Sequence, residues 1–316
     1  MSMNKRLTLG LLTRIAAGMR RSKLYKTLPP GMRAALMKAW RFVTGSRLLS
    51  DIPFGFDAKV GGTSFQLRGP FRYAGGDYYV TYLTQGAYEA AVTAHITQVV
   101  RQCPAPRVLD VGAHYGWYTI YLAKVIANRG IVFSFEPSEV IFSFLKRNVE
   151  LNDLHNVRLY KLPLSDKREA VSMVTSKSYP RESRYMSVVE WGEMANYTGL
   201  LSAIPFDELN EVEAIQPNIM KIDVRGVWRK VVDGMRESLQ REVEHLYLEL
   251  DTPPGDLSSL HADIQHVILL LRDAGMDVYE IQDFRKRDGG KMVKADEDQI
   301  ARRDKCDTML YAVKRR

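Results

Sequence analysis

The sequence of 316 residues predicts an α/β fold in which helices cover both faces of a mostly parallel, doubly wound sheet. Two observations indicate this class. From about residue 86 onward, short apolar runs typical of buried strands alternate with amphipathic helical patterns, and several runs end in an acidic residue. A hydrophobic share of 46% and a charged share of 26% are those of a chain that buries a full core.

The first strand and helix are joined by a turn that contains two glycines. Residues 107–111 form an apolar run that leads through Gly112 and Gly116 into a helix predicted over 117–127. We expect Asp110, near the strand end, to face the crevice in which open α/β sheets bind ligands. Gly112 is expected to let a ligand approach the backbone, and the helix N-terminus to offer N–H groups to an anionic group.

The spacing of this turn indicates the charge of its ligand. A dinucleotide-binding turn reads Gly-x-Gly-x-x-Gly, whereas this chain reads Asp-x-Gly-x-x-x-Gly with His114 in place of the middle glycine. Because a carboxylate before the first glycine repels a pyrophosphate, the turn favours a nucleoside ligand that carries an ammonium group. An ordinary turn between a strand and a helix is the alternative.

The next two strands also end in polar residues. The run 131–135 is followed by Glu136, whose carboxylate can accept two hydrogen bonds from ribose hydroxyls. A third strand, 157–162, leads to Ser165 and Asp166, which form either a turn against an adenine edge or an ordinary turn.

Four further strands and two further helices complete the predicted fold. Helices are predicted over 139–151 and 257–274, and strands over 218–224, 245–250, 276–282 and 308–314. The carboxyl ends of parallel strands meet at one edge of a sheet. Four acids are therefore expected near that edge: Asp110, Glu136, Asp223 and Glu249.

Seven stretches together resemble the FkbM family of S-adenosylmethionine-dependent methyltransferases. They are Tyr88-Glu89, Val-Leu-Asp-Val-Gly-Ala-His-Tyr-Gly-Trp-Tyr-Thr at 108–119, Phe-Glu-Pro-Ser at 135–138, Arg-Asn-Val-Glu-Leu-Asn at 147–152, Leu-Ser-Asp at 164–166, Ile-Pro-Phe-Asp-Glu-Leu at 204–209 and Lys-Ile-Asp-Val-Arg-Gly at 221–226. The resemblance implies a Rossmann-like class I methyltransferase fold with seven strands, the last of them antiparallel. It also implies S-adenosyl-L-methionine as cofactor and O-methylation of a hydroxyl on a sugar, glycan or natural product.

The resemblance also implies roles for particular residues. Asp110, Gly112, Glu136 and Asp166 would contact the cofactor, and Asp223 would lie beside the transferred methyl group. With their neighbours in the loop and turns, the expected cofactor-binding residues are Asp110, Gly112, Ala113, His114, Gly116, Glu136, Pro137, Ser165 and Asp166.

A hydroxyl nucleophile benefits from a general base, and three residues are candidates. Asp223 is the first, followed by Glu249 and His114. Asp223 is equally well explained as the N-cap of a helix over 226–240. No cluster of His or Cys residues indicates a metal, so none is expected, and Asp223, Glu249 and Asp251 form the alternative set of oxygen ligands.

This chain departs from the family pattern at two positions. The family usually has Asn where this chain has His114, and Glu where it has Arg225. Arg225 places a permanent cation beside the expected active site. Either the missing acid is not essential, or Arg225 binds an anionic substrate, or the chain is a silent binding module that uses the Arg225 cleft and its basic arm.

The basic charge of the chain is concentrated in residues 1–50, which contain eleven Lys or Arg and no acid. A basic amphipathic helix is predicted over 7–19 and a second over 32–43. This extension is a helical cap, a segment that lies on an anionic membrane, or a targeting segment. Nucleic acid is not expected as a partner, because stacking aromatic residues do not interleave with the charge.

The sequence also predicts the domain boundaries and a segment that contacts the substrate. We expect a small β-hairpin layer over 51–85, and the catalytic domain over 86–316. The stretch 172–203 is expected to be irregular, either a substrate lid with Tyr185 and Trp191 among its contacts or a loop that only packs on the domain.

Cysteine content and hydropathy bear on location. Cys103 and Cys306 make no disulfide framework, and no apolar run reaches about eighteen residues. We therefore expect a cytoplasmic protein, with peripheral membrane contact as the alternative that the basic extension allows.

Overall fold

The structure is a computed structural model, which describes residues 53–70, 78–175, 184–188, 200–251, 260–301 and 307–315. The basic extension 1–50, the predicted substrate contact Trp191 and Cys306 lie outside the described residues.

The described strands and helices alternate along most of the chain. In chain order the strands are β1 (Pro53–Val60), β2 (Thr63–Pro70), β3 (Arg107–Val111), β4 (Ile131–Phe135), β5 (Val157–Tyr160), β6 (Glu169–Thr175), β7 (Arg184–Val188), β8 (Leu201–Ala203), β9 (Ile219–Ile222), β10 (His245–Asp251), β11 (Met276–Ile281), β12 (Met292–Lys294) and β13 (Asp307–Lys314). The α-helices are α1 (Val80–Gln85), α2 (Ala90–Gln102), α3 (Trp117–Ile126), α4 (Glu139–Leu151), α5 (Phe206–Glu213), α6 (Trp228–Asp233), α7 (Arg236–Arg241), α8 (Leu260–Asp273) and α9 (Glu297–Ala301).

The central sheet has the order β12-β11-β13-β10-β9-β3-β4-β5. β10, β9, β3, β4 and β5 run parallel, whereas β13 is antiparallel to both of its neighbours, β10 and β11. All seven predicted strands are present, so the predicted class I methyltransferase fold is confirmed. The edge strand β12 is an eighth strand that was not predicted.

Helices cover both faces of the sheet because the inner strands are apolar on both sides. In β3, Val108 packs into a core with α2 and α3, and Leu109 packs into a second core with α6, α7 and α8. Both side chains are fully buried. A continuous apolar run of this kind is typical of a parallel sheet that is covered on both faces.

The hairpin β1–β2 lies on the same side of the sheet as α3. Phe65 of β2 meets Trp117 of α3 edge to face, with ring centroids 5.1 Å apart. The hairpin confirms the predicted β layer over 53–70, but Val80–Gln85 is helical and the strand expectation there is wrong. Tyr79 and Tyr82, three residues apart, both contact Phe56, and this spacing suits a helix.

Helix α4 completes the free edge of β2 with two asparagines one turn apart. Asn148 accepts a hydrogen bond from the Arg68 N–H group and donates to the Arg68 carbonyl oxygen. Asn152 makes the same pair of bonds with Gln66. The two amides thus replace a neighbouring strand, and they anchor the hairpin on the catalytic domain.

Part of the expected irregular lid over 172–203 is a regular sheet. β6 pairs antiparallel with both β7 and β8. The expectation of irregular structure is therefore wrong for these strands. Tyr185 lies in β7 opposite Val174, and its predicted substrate contact stays a prediction.

The structure contains no candidate transmembrane helix among the residues that it describes.

Candidate active site

The glycine turn after β3 is shaped by the end of β9. Gly112 has a φ of +83°, and a Cβ there would lie 2.0 Å from the backbone oxygen of Asp223. The N–H groups of Gly112 and Ala113 both donate to the Phe135 carbonyl oxygen. Gly112 was expected to make room for a ligand, but its missing Cβ makes room for the backbone of Asp223.

Two N–H groups of the loop before α3 are bonded within the protein, and the predicted contact of the helix N-terminus with an anionic group stays a prediction. The Gly116 N–H group donates to the Ala113 carbonyl oxygen, and the His114 N–H group donates to Glu136. Gly116 has a φ of +93°, and a Cβ there would lie 2.7 Å from Leu145 of α4. The second glycine therefore serves the packing of α3 against α4.

His114 is held beside an aromatic cluster. Its Nδ1 lies 2.7 Å from the Tyr78 hydroxyl oxygen, and its φ of +52° is left-handed. Burial lowers the pKa of His114 to about 4, so the ring is neutral at pH 7. The contact with Tyr78 favours a positioning role for His114 over that of a general base.

Glu136 is held by backbone donors at the end of β4. Its side chain is 5% exposed. Oε1 accepts a hydrogen bond from the Ser138 N–H group at 2.9 Å, and Oε2 accepts from the His114 N–H group at 3.1 Å. These two bonds fix the orientation of the carboxylate at the strand end, and Pro137 follows it directly.

Asp110 lies beneath α3. It is 2% exposed, and its Oδ2 accepts a hydrogen bond of 2.6 Å from the Thr119 hydroxyl. Thr119 in turn lies 2.8 Å from the Ser134 hydroxyl. Burial raises the pKa of Asp110, and the nearby charge of Lys221 partly opposes that rise. A cationic ligand group close to Asp110 would further stabilise its ionised form.

A buried lysine, Lys221, joins the acids at the centre of this edge. It is 1% exposed. Its Nζ lies 3.0 Å from Asp223 Oδ2, 3.8 Å from Glu89 Oε2 and 4.5 Å from the centre of the Tyr118 ring. Burial lowers the pKa of Lys221, but Asp223 and Glu89 raise it by more, so the ammonium group stays charged.

Asp223 is the most accessible acid of this group, with a side chain that is 26% exposed. Burial raises its pKa, but Lys221, Arg225 and Arg285 together lower it by more, so the carboxyl group is ionised at neutral pH. Its alternative role as a helix N-cap is wrong, because the next helix has Val227 at its N-cap and begins at Trp228.

Glu89 and Glu249 complete an acidic cluster with Asp223. One carboxylate oxygen of each lies within 4.8 Å of the other two. Glu89 precedes α2 with a φ of +44° and accepts a hydrogen bond from Tyr118 at 2.8 Å. Burial, together with the charges of Asp223 and Glu89, raises the pKa of Glu249 well above its usual value.

Two residues lie around this cluster. Arg285 follows β11, and its guanidinium nitrogen lies 2.5 Å from Glu249 Oε1. Asp251 accepts a hydrogen bond from the Gly226 N–H group, and burial raises its pKa to about 6. Asp251 is not part of the three-acid group. The predicted oxygen set therefore changes, with Glu89 in place of Asp251.

Arg225 is exposed in the turn after β9. Its charge lowers the pKa of both Asp223 and Asp251, which shows that it lies near the acidic edge. This position is compatible with the predicted contact to an acceptor.

The turn after β5 is tied to α6. Ser165 is buried, whereas Asp166 is exposed. Asp166 Oδ1 accepts a hydrogen bond of 3.1 Å from the Ser165 hydroxyl and lies 3.7 Å from Lys230 Nζ. The proposed adenine contact would have to form beside this ion pair.

Sequence reasoning did not assign site roles to Glu89, Lys221 and Arg285. Glu89 and Lys221 both occur in the stretches that resemble the family. For Lys221, a charged residue inside an otherwise apolar strand was a further signal. Arg285 lies in a polar stretch after β11, and only its ion pair with Glu249 distinguishes it.

The chain is similar in sequence to known methyltransferases. Residues 80–166 match the sequence model of the protein-L-isoaspartate(D-aspartate) O-methyltransferase family. Methyltransferase sdnD of Sordaria araneosa is 23% identical over 221 residues, which cover 61% of this chain and 82% of that protein. Methyltransferase 1 of Beauveria bassiana (strain ARSEF 2860) is 22% identical over 168 residues, or 48% of this chain and 67% of that protein.

Solved structures of methyltransferases also overlap with the chain. Methyltransferase FkbM from Methylobacillus flagellatus KT has a TM-score of 0.40 at 15% identity, over 75% of this chain and 55% of that chain. Fibrillarin from Aeropyrum pernix, solved with natively bound S-adenosyl-L-methionine, has a TM-score of 0.40 at 12% identity, over 86% of each chain.

The chain has a methyltransferase fold, and S-adenosylmethionine is the cofactor of this class. The described site fits that group. Glu136 is preorganised at the strand end that faces a ribose in such sheets. The acids around Asp223 form a negative edge for a ligand that carries sulfonium and ammonium charges, and buried oxygens of Glu89 and Glu249 have no hydrogen-bond partner among the described residues.

Proposed function

We propose that the protein transfers a methyl group from S-adenosylmethionine to a hydroxyl of a sugar, glycan or natural-product acceptor, as FkbM-type methyltransferases do. The observation that carries this proposal is the acidic edge at Asp223. It follows β9 directly and its backbone oxygen contacts the glycine turn. The glycine turn proposed to bind the cofactor and the acid proposed to bind the acceptor therefore pack directly against each other.

Asp223 is proposed to orient the acceptor. Its carboxylate is ionised and partly exposed, and Lys221 fixes one of its oxygens. When bound, the cofactor supplies an activated methyl group on a sulfonium. Asp223 would accept the proton that the acceptor hydroxyl loses when its oxygen takes up the methyl group. Alignment provides most of the acceleration, because the leaving group is already good.

Arg225 is proposed to select the acceptor. A guanidinium near the acidic edge favours acceptors with a carboxylate, a phosphate or many hydroxyls. The two relatives are named as methyltransferases, which supports methyl transfer as the reaction. Tyr185 and Trp191 stay predicted contacts for a ring of the acceptor.

The test is a methyl-transfer assay with isotopically labelled cofactor and a panel of hydroxylated acceptors. We expect Asp223→Asn to lower turnover at least about 100-fold, because a positioned base contributes about that factor or more. Asp273→Asn, which changes an exposed acid at the end of α8, is the matched control. Cofactor binding by both variants is measured by calorimetry.

Two results would contradict the proposal. Equal turnover of the two variants would remove Asp223 from the reaction. Tight cofactor binding by the wild type without turnover on any acceptor would instead support the silent binding module, in which the Arg225 cleft and the basic extension serve interaction.

A further inference from the structure

The cluster of Glu89, Asp223 and Glu249 carries an inference beyond cofactor and acceptor binding. We infer that these three carboxylates form a binding site for one hard divalent cation, such as Mg²⁺ or Mn²⁺. They come from three separate elements: the residue before α2, the end of β9 and the end of β10. One oxygen of each lies within 4.8 Å of the other two.

Two buried oxygens in this cluster lack a hydrogen-bond partner among the described residues. They are Glu89 Oε1 and Glu249 Oε2, and these side chains are 0% and 5% exposed. A buried acceptor without a partner costs about 1–3 kcal/mol, and more when it is charged. A cation that is bound by both oxygens removes this cost.

Each of these glutamates is held through its other oxygen. Glu89 Oε2 accepts from Tyr118 at 2.8 Å and lies 3.8 Å from Lys221. Glu249 Oε1 pairs with Arg285 at 2.5 Å. Metal-binding carboxylates are commonly oriented in this way, with one oxygen held by the protein and the other on the ion.

The formal charges leave room for a divalent cation. With every carboxylate ionised, as metal binding requires of its ligands, the acids Asp110, Glu89, Glu249 and Asp223 carry four negative charges, and Lys221 and Arg285 carry two positive charges. Adding the flanking pair of Asp251 and Arg225 leaves the excess unchanged. An ion of charge +2 balances the two negative charges that remain in excess.

The donor set indicates the kind of ion. The cluster offers carboxylate oxygens and contains no His or Cys, which favours Mg²⁺, Mn²⁺ or Ca²⁺ over zinc or copper. Oxygens bound to Mg²⁺ at about 2.1 Å lie at most about 4.2 Å apart, and those bound to Ca²⁺ at about 2.4 Å lie at most about 4.8 Å apart. A small inward movement of the carboxylates therefore suffices.

The ion would act on the acceptor, and this role rests on the proposed function. Asp223 is the accessible ligand, so a cation on it would face the place proposed for the acceptor hydroxyl. A bound cation lowers the pKa of a hydroxyl that coordinates it. The binding site itself does not depend on the identity of the acceptor.

The test is direct binding of Mn²⁺ to the full chain after removal of metals with a chelator. Electron paramagnetic resonance and calorimetry are expected to show one site per chain, with competition by Mg²⁺. We expect Glu89→Gln and Glu249→Gln each to weaken Mn²⁺ binding at least tenfold. Glu211→Gln, at an exposed position of α5, is expected to bind like the wild type.

Separate readouts keep the metal site distinct from the proposed function. Thermal unfolding shows whether each variant is folded, and Asp223→Asn serves as a third variant. Calorimetry with S-adenosylhomocysteine reports the cofactor site in the same samples. Absence of Mn²⁺ binding at millimolar concentration, or equal binding by the wild type and all variants, would overturn the metal site. If the wild type binds Mn²⁺ but does not bind S-adenosylhomocysteine, the result counts against the cofactor site and leaves the metal site in place.

Discussion

The two turn glycines Gly112 and Gly86 have nearly the same backbone conformation but different surroundings. Their φ angles are +83° and +87°. A left-handed conformation costs an alanine about 1–2 kcal/mol. A Cβ on Gly86 meets nothing within 4 Å, whereas a Cβ on Gly112 lies 2.0 Å from the Asp223 backbone oxygen.

We therefore predict that Gly86→Ala lowers the free energy of unfolding by about 1 kcal/mol, and Gly112→Ala by at least about 3 kcal/mol. Urea denaturation measures both. Because relief of the clash displaces Asp223, turnover is expected to fall in the second variant only. Similar losses of stability in the two variants would show that the turn moves away from β9 at little cost.

The pKa of Asp251 predicts a pH-dependent stability. Burial raises it from 3.8 to about 6. The folded state thus holds this proton more tightly than the unfolded state, so the contribution of Asp251 to stability falls as the pH rises from about 4 to about 6. The shift corresponds to about 3 kcal/mol across that window.

Asp251→Asn removes this titration and keeps an oxygen for the Gly226 N–H group. We predict that the variant gains up to about 3 kcal/mol of unfolding free energy relative to the wild type between pH 4 and about pH 7. Urea unfolding at several pH values gives the difference in unfolding free energy between the variant and the wild type. The contribution of His114 titration cancels from this difference, because both proteins contain His114. Asp273→Asn, which changes an exposed acid at the end of α8, is the control. A flat difference for Asp251→Asn would contradict a raised pKa.

Residue-level prediction from sequence succeeded where position along a strand decides the outcome. Glu136 and Asp223 each follow an apolar run, so their place at the sheet edge could be read from the pattern. Glu89 and Arg285 lie in loops that are distant in the chain, and only the folded sheet brings them to Glu249 and Asp223. Lys221 was hidden because a charge inside a buried run has meaning only when its partners are known.

At the scale of elements, Asn148 and Asn152 join α4 to the hairpin β1–β2. We predict that Asn148→Ala lowers the free energy of unfolding by about 2 kcal/mol or more, because it leaves the Arg68 N–H and carbonyl groups and the Tyr115 carbonyl oxygen without this partner. Glu150→Ala, at an exposed position of the same helix, is the control. Equal unfolding free energies for the two variants, from urea denaturation, would show that water replaces the amide fully.

Elements that the sequence did not reveal are short or depend on partners. β12 has three residues, too few for a periodic signal. Helix α1 has six, and its aromatic residues suit a strand as well as a helix until Phe56 is placed beside them. β6 was read as irregular, because its pairing with β7 and β8 is a tertiary property.

At the scale of the whole molecule, the seven strands of a mostly parallel sheet were predictable for a physical reason. Strands buried on both faces are continuous apolar runs, and such runs separated by helices leave few topologies. The antiparallel placement of β13 came from the family resemblance, since apolar periodicity does not encode strand direction. The acidic edge follows from the same topology, because parallel strands bring their carboxyl ends together.

Charge is distributed unevenly over the whole chain. Residues 1–50 contain eleven Lys or Arg and no acid, and the remainder has a formal charge of −3 (+8 less +11). Each basic residue near an anionic bilayer contributes about 1 kcal/mol, an attraction that salt screens. We predict that the full chain co-sediments with vesicles containing phosphatidylserine at low salt, and that binding decreases steeply with added salt. The chain without residues 1–50 is expected to remain in the supernatant, as is the full chain with pure phosphatidylcholine vesicles. Equal sedimentation of the full and shortened chains would contradict membrane contact through this segment and would leave its charge to a role as a cap on the catalytic domain.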